Sequence, residues 1–172
     1  KVATADASLS ALLTIARTSQ DLRVAAGGRA ATLSPALSTR RPLTVAEFSI
    51  MDRAQGRVEA DRERIAASID QLGNPPRLLN AFKEASDAYF GRAVLIVEKE
   101  MPAARSDAKY GINGDELAKI IAPAVQMFFN LRDAAIAEAV ERARASRDGA
   151  LMMLGGAVLA VLRQQPQPVR VL

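Results

Sequence analysis

At 172 residues the chain is long enough to bury a core without disulfide or metal staples, and it fills one domain. Hydrophobic residues make up 49% of it, aromatic residues only 4%, and its 34 alanines enrich it in helix formers, which speaks against an all-β fold. It has no Cys and no His, which removes thiol nucleophiles, imidazole bases and the usual zinc sites; its net charge of +4 comes from interleaved Arg, Lys, Asp and Glu, without the focused basic face that nucleic acid requires.

Breakers at 34–42, 73–76 and 101–114 cut the chain into four long segments. The first carries Leu12, Ile15, Leu22, Ala26 and Leu33 at heptad spacing, with Ser19 and Arg29 as polar interruptions. It predicts a helix over 2–33 that ends before Ser34-Pro35. In the second segment Phe48, Met51, Gln55, Val58, Arg62, Ile65, Ile69 and Leu72 alternate spacings of three and four, a heptad seam over 44–72. Thr44 with Glu47 reads as a capping box, and Leu43 with Phe48 occupies the hydrophobic-staple positions. Gly73 is the expected stop. Asn74 and Pro75 then supply an N-cap and a first-turn proline for a third helix over 75–100, whose seam runs through Leu79, Phe82, Ser86, Tyr89, Ala93 and Ile96. The fourth, over 115–149, uses Leu117, Ile120, Ala124, Phe128, Leu131 and Ala135, with Asn113 and Glu116 as its cap. Pro123 predicts a kink near Ile120 or a start nearer Ala122.

Four helices of about 30 residues, each roughly 45 Å long at ~1.5 Å per residue, have one economical packing. The expected fold is all-α, an antiparallel up-down-up-down four-helix bundle with both termini at one end. Beyond it, residues 150–162 read ALMMLGGAVLAVL, uncharged but shorter than the ~20 residues that span a bilayer. A buried helix, a surface anchor and the start of a transmembrane helix all compete for this run. All-round apolarity and the abrupt change to Arg163-Gln164-Gln165-Pro166 favour the third, with 163–172 then read as a non-native tail.

A further pattern accompanies these segments. Asp21-Leu22-Arg23, Ala26-Gly27, Arg41-Pro42-Leu43-Thr44 leading to Glu47, Gly56-Arg57-Val58-Glu59, and Leu131-Arg132-Asp133-Ala134 before an Ala/Arg-rich helix occur in this order. Over about residues 5–160 the chain resembles the helical extracytoplasmic sensor domains of bacterial transmembrane receptors. That resemblance implies a homodimer, attachment to the inner membrane through flanking helices with this domain in the periplasm, a following linker such as a HAMP domain, and signalling by small helix displacements.

Counting residues from the turns of such a bundle places Arg23, Gln55 and Gln126 within about a turn of one another. Either this is a polar layer that fixes helix register, or the side chains snorkel to water, or Arg and Gln donors there orient a small anionic or amide-bearing solute, with Tyr89 in the apolar wall beneath. Tyr89 and Phe90 fall near Phe128 and Phe129, where aromatic residues at helical spacing ordinarily form core. Arg62 falls level with Asp87 and Asp133 and reads as an internal ion pair, because a buried Arg must be paired. No catalytic motif, metal-ligand set or cofactor signature appears. The resemblance implies a signal-input domain, read as that of a sensor histidine kinase because kinases are the commoner receptors of this kind. A methyl-accepting chemoreceptor or diguanylate cyclase is the alternative, and a cytosolic helical adaptor the second.

Overall fold

Segments rich in Ala, Leu, Arg and Glu, with few β-branched runs, fold as helix almost throughout. The computed structural model describes residues 2–163, with side-chain surroundings for 7–148, 151 and 152. Helix accounts for 88% of the chain, no strand occurs among the described residues, and the class is all-α. The elements are α1 (Val2–Thr39), α2 (Val45–Gln71), α3 (Pro76–Ala88), a π turn (Tyr89–Ala93), α4 (Val94–Arg105) and α5 (Gly114–Arg163). Because α3, the π turn and α4 are continuous, the chain forms four rods. The apolar run 150–162 continues α5, its side chains other than Leu151 and Met152 lying outside the described residues, as do residues 164–172.

Local signals hold where they are strong. The side chain of Thr44 accepts from Glu47 N–H while the Glu47 carboxylate accepts from Thr44 N–H, which closes the capping box of α2. Asn113 and Glu116 exchange the same pair of bonds at the start of α5. Gly73 sits at φ +78°, with Gly73 N–H on Asp70 and Asn74 N–H on Ile69, the two bonds of a Schellman end. Asn74 itself is left-handed and bonds back to Asp70, so the N-cap of α3 passes to Pro75, which offers no side-chain cap.

The rods are not of equal length, and three prolines expected to break helices lie inside them. α1 runs through Pro35 to Thr39, α4 runs through Pro102 to Arg105, and α5 starts at Gly114 and runs through Pro123. An interior proline costs about 3 kcal/mol. The stretch around Pro35 buries Leu33, Ala36 and Leu37 completely, and two such leucines contribute about 1.5–3 kcal/mol each. Burial therefore outweighs the broken backbone bond. The true end of α1 is a left-handed Arg40 with Arg41 N–H on Ala36, reinforced by Pro42, which holds the preceding residue out of helix.

The core forms one cluster that takes in all four rods, from Leu12, Ile15 and Leu22 through Met51, Val58 and Ile65 to Leu117, Phe128 and Leu131. α1 packs most extensively on α5, then on α2; α3 packs on α5; α2 and α3 scarcely touch. Along the third rod the buried positions Ala85, Tyr89, Ala93 and Val97 step by four three times running. Four-residue steps drift away from a 3.6-residue helix, and the π turn, which takes an extra residue into one turn, restores the alignment.

Candidate functional site

Arg29 occupies a heptad position on α1, so the seam carries a cation inside the protein. The residue is only 4% exposed. Its Nη2 donates to Glu98 Oε1 of α4 at 2.8 Å, whereas Nε and Nη1 are buried with no hydrogen-bond partner. Each buried polar group left unsatisfied costs about 1–3 kcal/mol, so this centre is held at the expense of stability. Tyr89, the first residue of the π turn, lies beside the guanidinium and is also buried. Burial pushes its phenol above the usual range, and the charge of Arg29 offsets part of that rise. Its ring packs against Phe128 at 5.4 Å and edge-on against Phe90 at 5.1 Å. Ser86 Oγ, one turn before Tyr89, is buried and unpartnered, as are Gln55 Oε1 and Gln20 Oε1.

Arg23 and Gln126 do come together, but not in an internal polar layer. They line an outer groove of about 360 Å³ between α1 and α5, with Gly27, Ala30, Ile121 and Val125. The Arg23 guanidinium lies 4.3 Å from the centroid of Phe129. Gln55 is not part of that groove; its amide bonds to Glu59 along α2. Tyr89 belongs instead with Arg29. The expected grouping of four thus divides into a groove pair, a lone α2 glutamine and a core tyrosine.

The internal ion pair of Arg62 with Asp87 and Asp133 does not form. Arg62 is exposed, with its guanidinium 4.5 Å over Phe90; Asp87 is exposed; Asp133 pairs with its neighbour Arg132 at 2.7 Å. The buried stripe of α2 runs Val58, Asp61, Ile65, choosing the step of three before the step of four. Either order fits a heptad, and side-chain length decides between them. Arg62 can carry its charge out to water along a long stem, whereas the shorter Asp61 turns inward and is satisfied locally by Arg64 at 2.9 Å. Burial raises the Asp61 pKa, Arg64 pulls it down, and nearby Asp21 adds to the rise.

The loop arginines are engaged within the protein. Arg41 makes a two-pronged pair with Glu47, whose carboxyl is lowered to about 2, chiefly by that hydrogen bond. Arg40 donates to the Tyr110 carbonyl at 2.6 Å, Tyr110 O–H donates to the Arg41 carbonyl at 2.8 Å, and Leu43 N–H donates to Ala104 at 2.9 Å. Buried Glu100 accepts from Gly111 N–H at 2.7 Å. Among the described residues no cluster of three or more potential metal ligands occurs.

Arg29 is the residue whose importance the sequence reading missed. Its signal was present, a cation on a heptad seam, but its partner Glu98 lies 69 residues away. Compared with family models, with curated proteins and with solved structures, the chain finds no match.

Proposed function

We propose that the chain is the periplasmic signal-input domain of a bacterial inner-membrane receptor, a sensor histidine kinase, that takes a small anionic or amide-bearing solute and answers by shifting α5 against α1. The proposal includes an antiparallel up-down-up-down bundle about 45 Å long. Contacts at its two ends support that arrangement. Ala7, Ser8 and Ala11 of α1 share a groove with Gln71 and Leu72 at the end of α2 and with Arg142 of α5. At the other extremity Ser34 and Ser38 meet Gly114, where α5 begins, and Arg40 and Arg41 meet Tyr110. Partner numbers on α5 thus fall as those on α1 rise, as antiparallel neighbours require.

One observation carries the functional reading: α5 is a single helix of 50 residues, packed along α1, that leads from the loop end past the level of the polar centre and onward into the apolar run. An unbroken rod transmits a displacement that a hinge would absorb. A solute that prefers one arrangement by 1–3 kcal/mol changes the output about 5- to 150-fold. No helix among the described residues is long and apolar enough to cross a membrane, so membrane attachment and the homodimer enter from the resemblance set out above. A methyl-accepting chemoreceptor or a diguanylate cyclase takes the same kind of input.

The test uses the absence of native cysteine. Ala31→Cys on α1 and Ser146→Cys on α5 are both exposed positions, roughly 40 Å apart in this register, and take spin labels. With acetate, nitrate and acetamide as probes, the distance is expected to move by about 1–2 Å for a solute that binds. An unchanged distance at saturation overturns the signalling reading.

A further inference from the structure

We infer that Arg29 is the seat of a small planar monoanion, a carboxylate or nitrate, and that Glu98 is an internal occupant which such an anion displaces. The inference deepens the receptor reading above by naming the solute class and the atoms that take it. A guanidinium offers planar anions two double-donor edges, Nε with Nη2 and Nη1 with Nη2. Both edges include Nη2, the atom that Glu98 holds with one oxygen at 2.8 Å. Nε and Nη1, the remaining member of each edge, are the two atoms left buried and unpartnered. Glu98 thus takes one of the two Nη2 hydrogens with a single oxygen, and leaves Nε and Nη1 unfilled.

The two partners differ sharply in their ties to the protein. The Arg29 side chain is 5% exposed and fixed in the core, whereas that of Glu98 is 53% exposed. Releasing Glu98 to water removes one charge-assisted bond, and a bidentate anion forms two in a site shielded from solvent. Tyr89, buried at the π turn beside the guanidinium, places its hydroxyl next to the seat. The buried guanidinium is thus the donor group that favours an anion, and Glu98 is the competitor.

The experiment measures the affinity of the whole chain for sodium acetate and sodium nitrate by calorimetry, with sodium chloride at matched ionic strength as the non-planar control. Glu98→Gln removes the competing charge and is expected to tighten acetate or nitrate binding by about tenfold, the worth of one charge-assisted hydrogen bond. Arg29→Lys keeps the cation but lacks the fork, and is expected to abolish the preference for planar anions over chloride. Which of acetate and nitrate binds more tightly identifies the solute type. Equal or weaker affinity in Glu98→Gln, or no binding of either anion by both wild type and Glu98→Gln, overturns the site. Should tighter binding appear without any change in the α1–α5 label distance, the site stands and the signalling reading falls; a distance change with acetamide alone does the reverse.

Discussion

Gly114 is where the start of α5 meets the last turns of α1, and replacing it tests the packing argument directly. A Cβ built there lies 2.3 Å from Ser38 Oγ, 2.7 Å from Ser34 Oγ and 2.9 Å from the Ser34 carbonyl oxygen. The serine hydroxyls can rotate away, but the carbonyl belongs to the backbone of α1 and cannot yield without moving the helix. Overpacking of this kind costs about 1–3 kcal/mol, against which alanine returns at most about 0.5–1 kcal/mol of helix preference over glycine. Gly114→Ala is therefore expected to lose about 1–2 kcal/mol, a fall in Tm of roughly 2–8 °C for a chain of this size. Gly56, in the interior of α2 with nothing within 4 Å of its built Cβ, is the control. The same substitution there is expected to gain about 0.5–1 kcal/mol. Adding Ser38→Ala to Gly114→Ala removes the nearest atom but leaves the Ser34 carbonyl, so urea or thermal unfolding is expected to show partial recovery only. A Gly114→Ala protein that melts at or above wild type would refute the reasoning.

Asp61 titrates higher when folded than its ordinary value of 3.8, so the folded chain binds the extra proton and stability falls as pH rises through that interval; Asp61→Asn is expected to be the more stable protein at neutral pH, with the gain shrinking below about pH 4, measured by denaturant titration. Glu47 behaves oppositely. Its carboxyl drops from 4.5 to about 2 on folding, so its contribution is complete above 4.5 and is lost as acid is taken down toward 2. Glutamine retains the capping geometry, so wild type should exceed Glu47→Gln at pH 7, and thermal melts should show the difference closing between those values. Deleting Gly91 removes the extra residue of the π turn and rotates α4 by ~100° relative to α3; Val97, Glu100 and Ala104 then leave the core, and unfolding is expected at much lower urea with helical circular dichroism largely retained.

What the sequence disclosed most readily was written within four or five consecutive residues. Thr44 with Glu47, Asn113 with Glu116, and Gly73 each satisfy backbone groups of their own neighbourhood, so no tertiary information is needed to recognise them. Pro35 and Pro102 misled because the rule they signal is local, while the burial that overrides it comes from other rods. Asp61 and Arg62 were interchangeable by spacing; only the presence of Phe90 across the gap, and the reach of an arginine stem, separates them. At the candidate site, Tyr89 and Phe128 were legible as neighbours from counting between turns. The Arg29–Glu98 pair was not, because the π turn alters the phase of the third rod between Tyr89 and Glu98, and a uniform helical count cannot carry a residue across it.

The uneven contact among the rods gives the protein a mechanical grain. α1 and α5 are the spine; α2 and α3 are leaves hinged on it, joined to each other at Gly73-Asn74 and barely elsewhere. A sideways load is expected to open the α2–α3 cleft before it slides the spine, and Arg62 reaches across that cleft to Phe90 like a clasp.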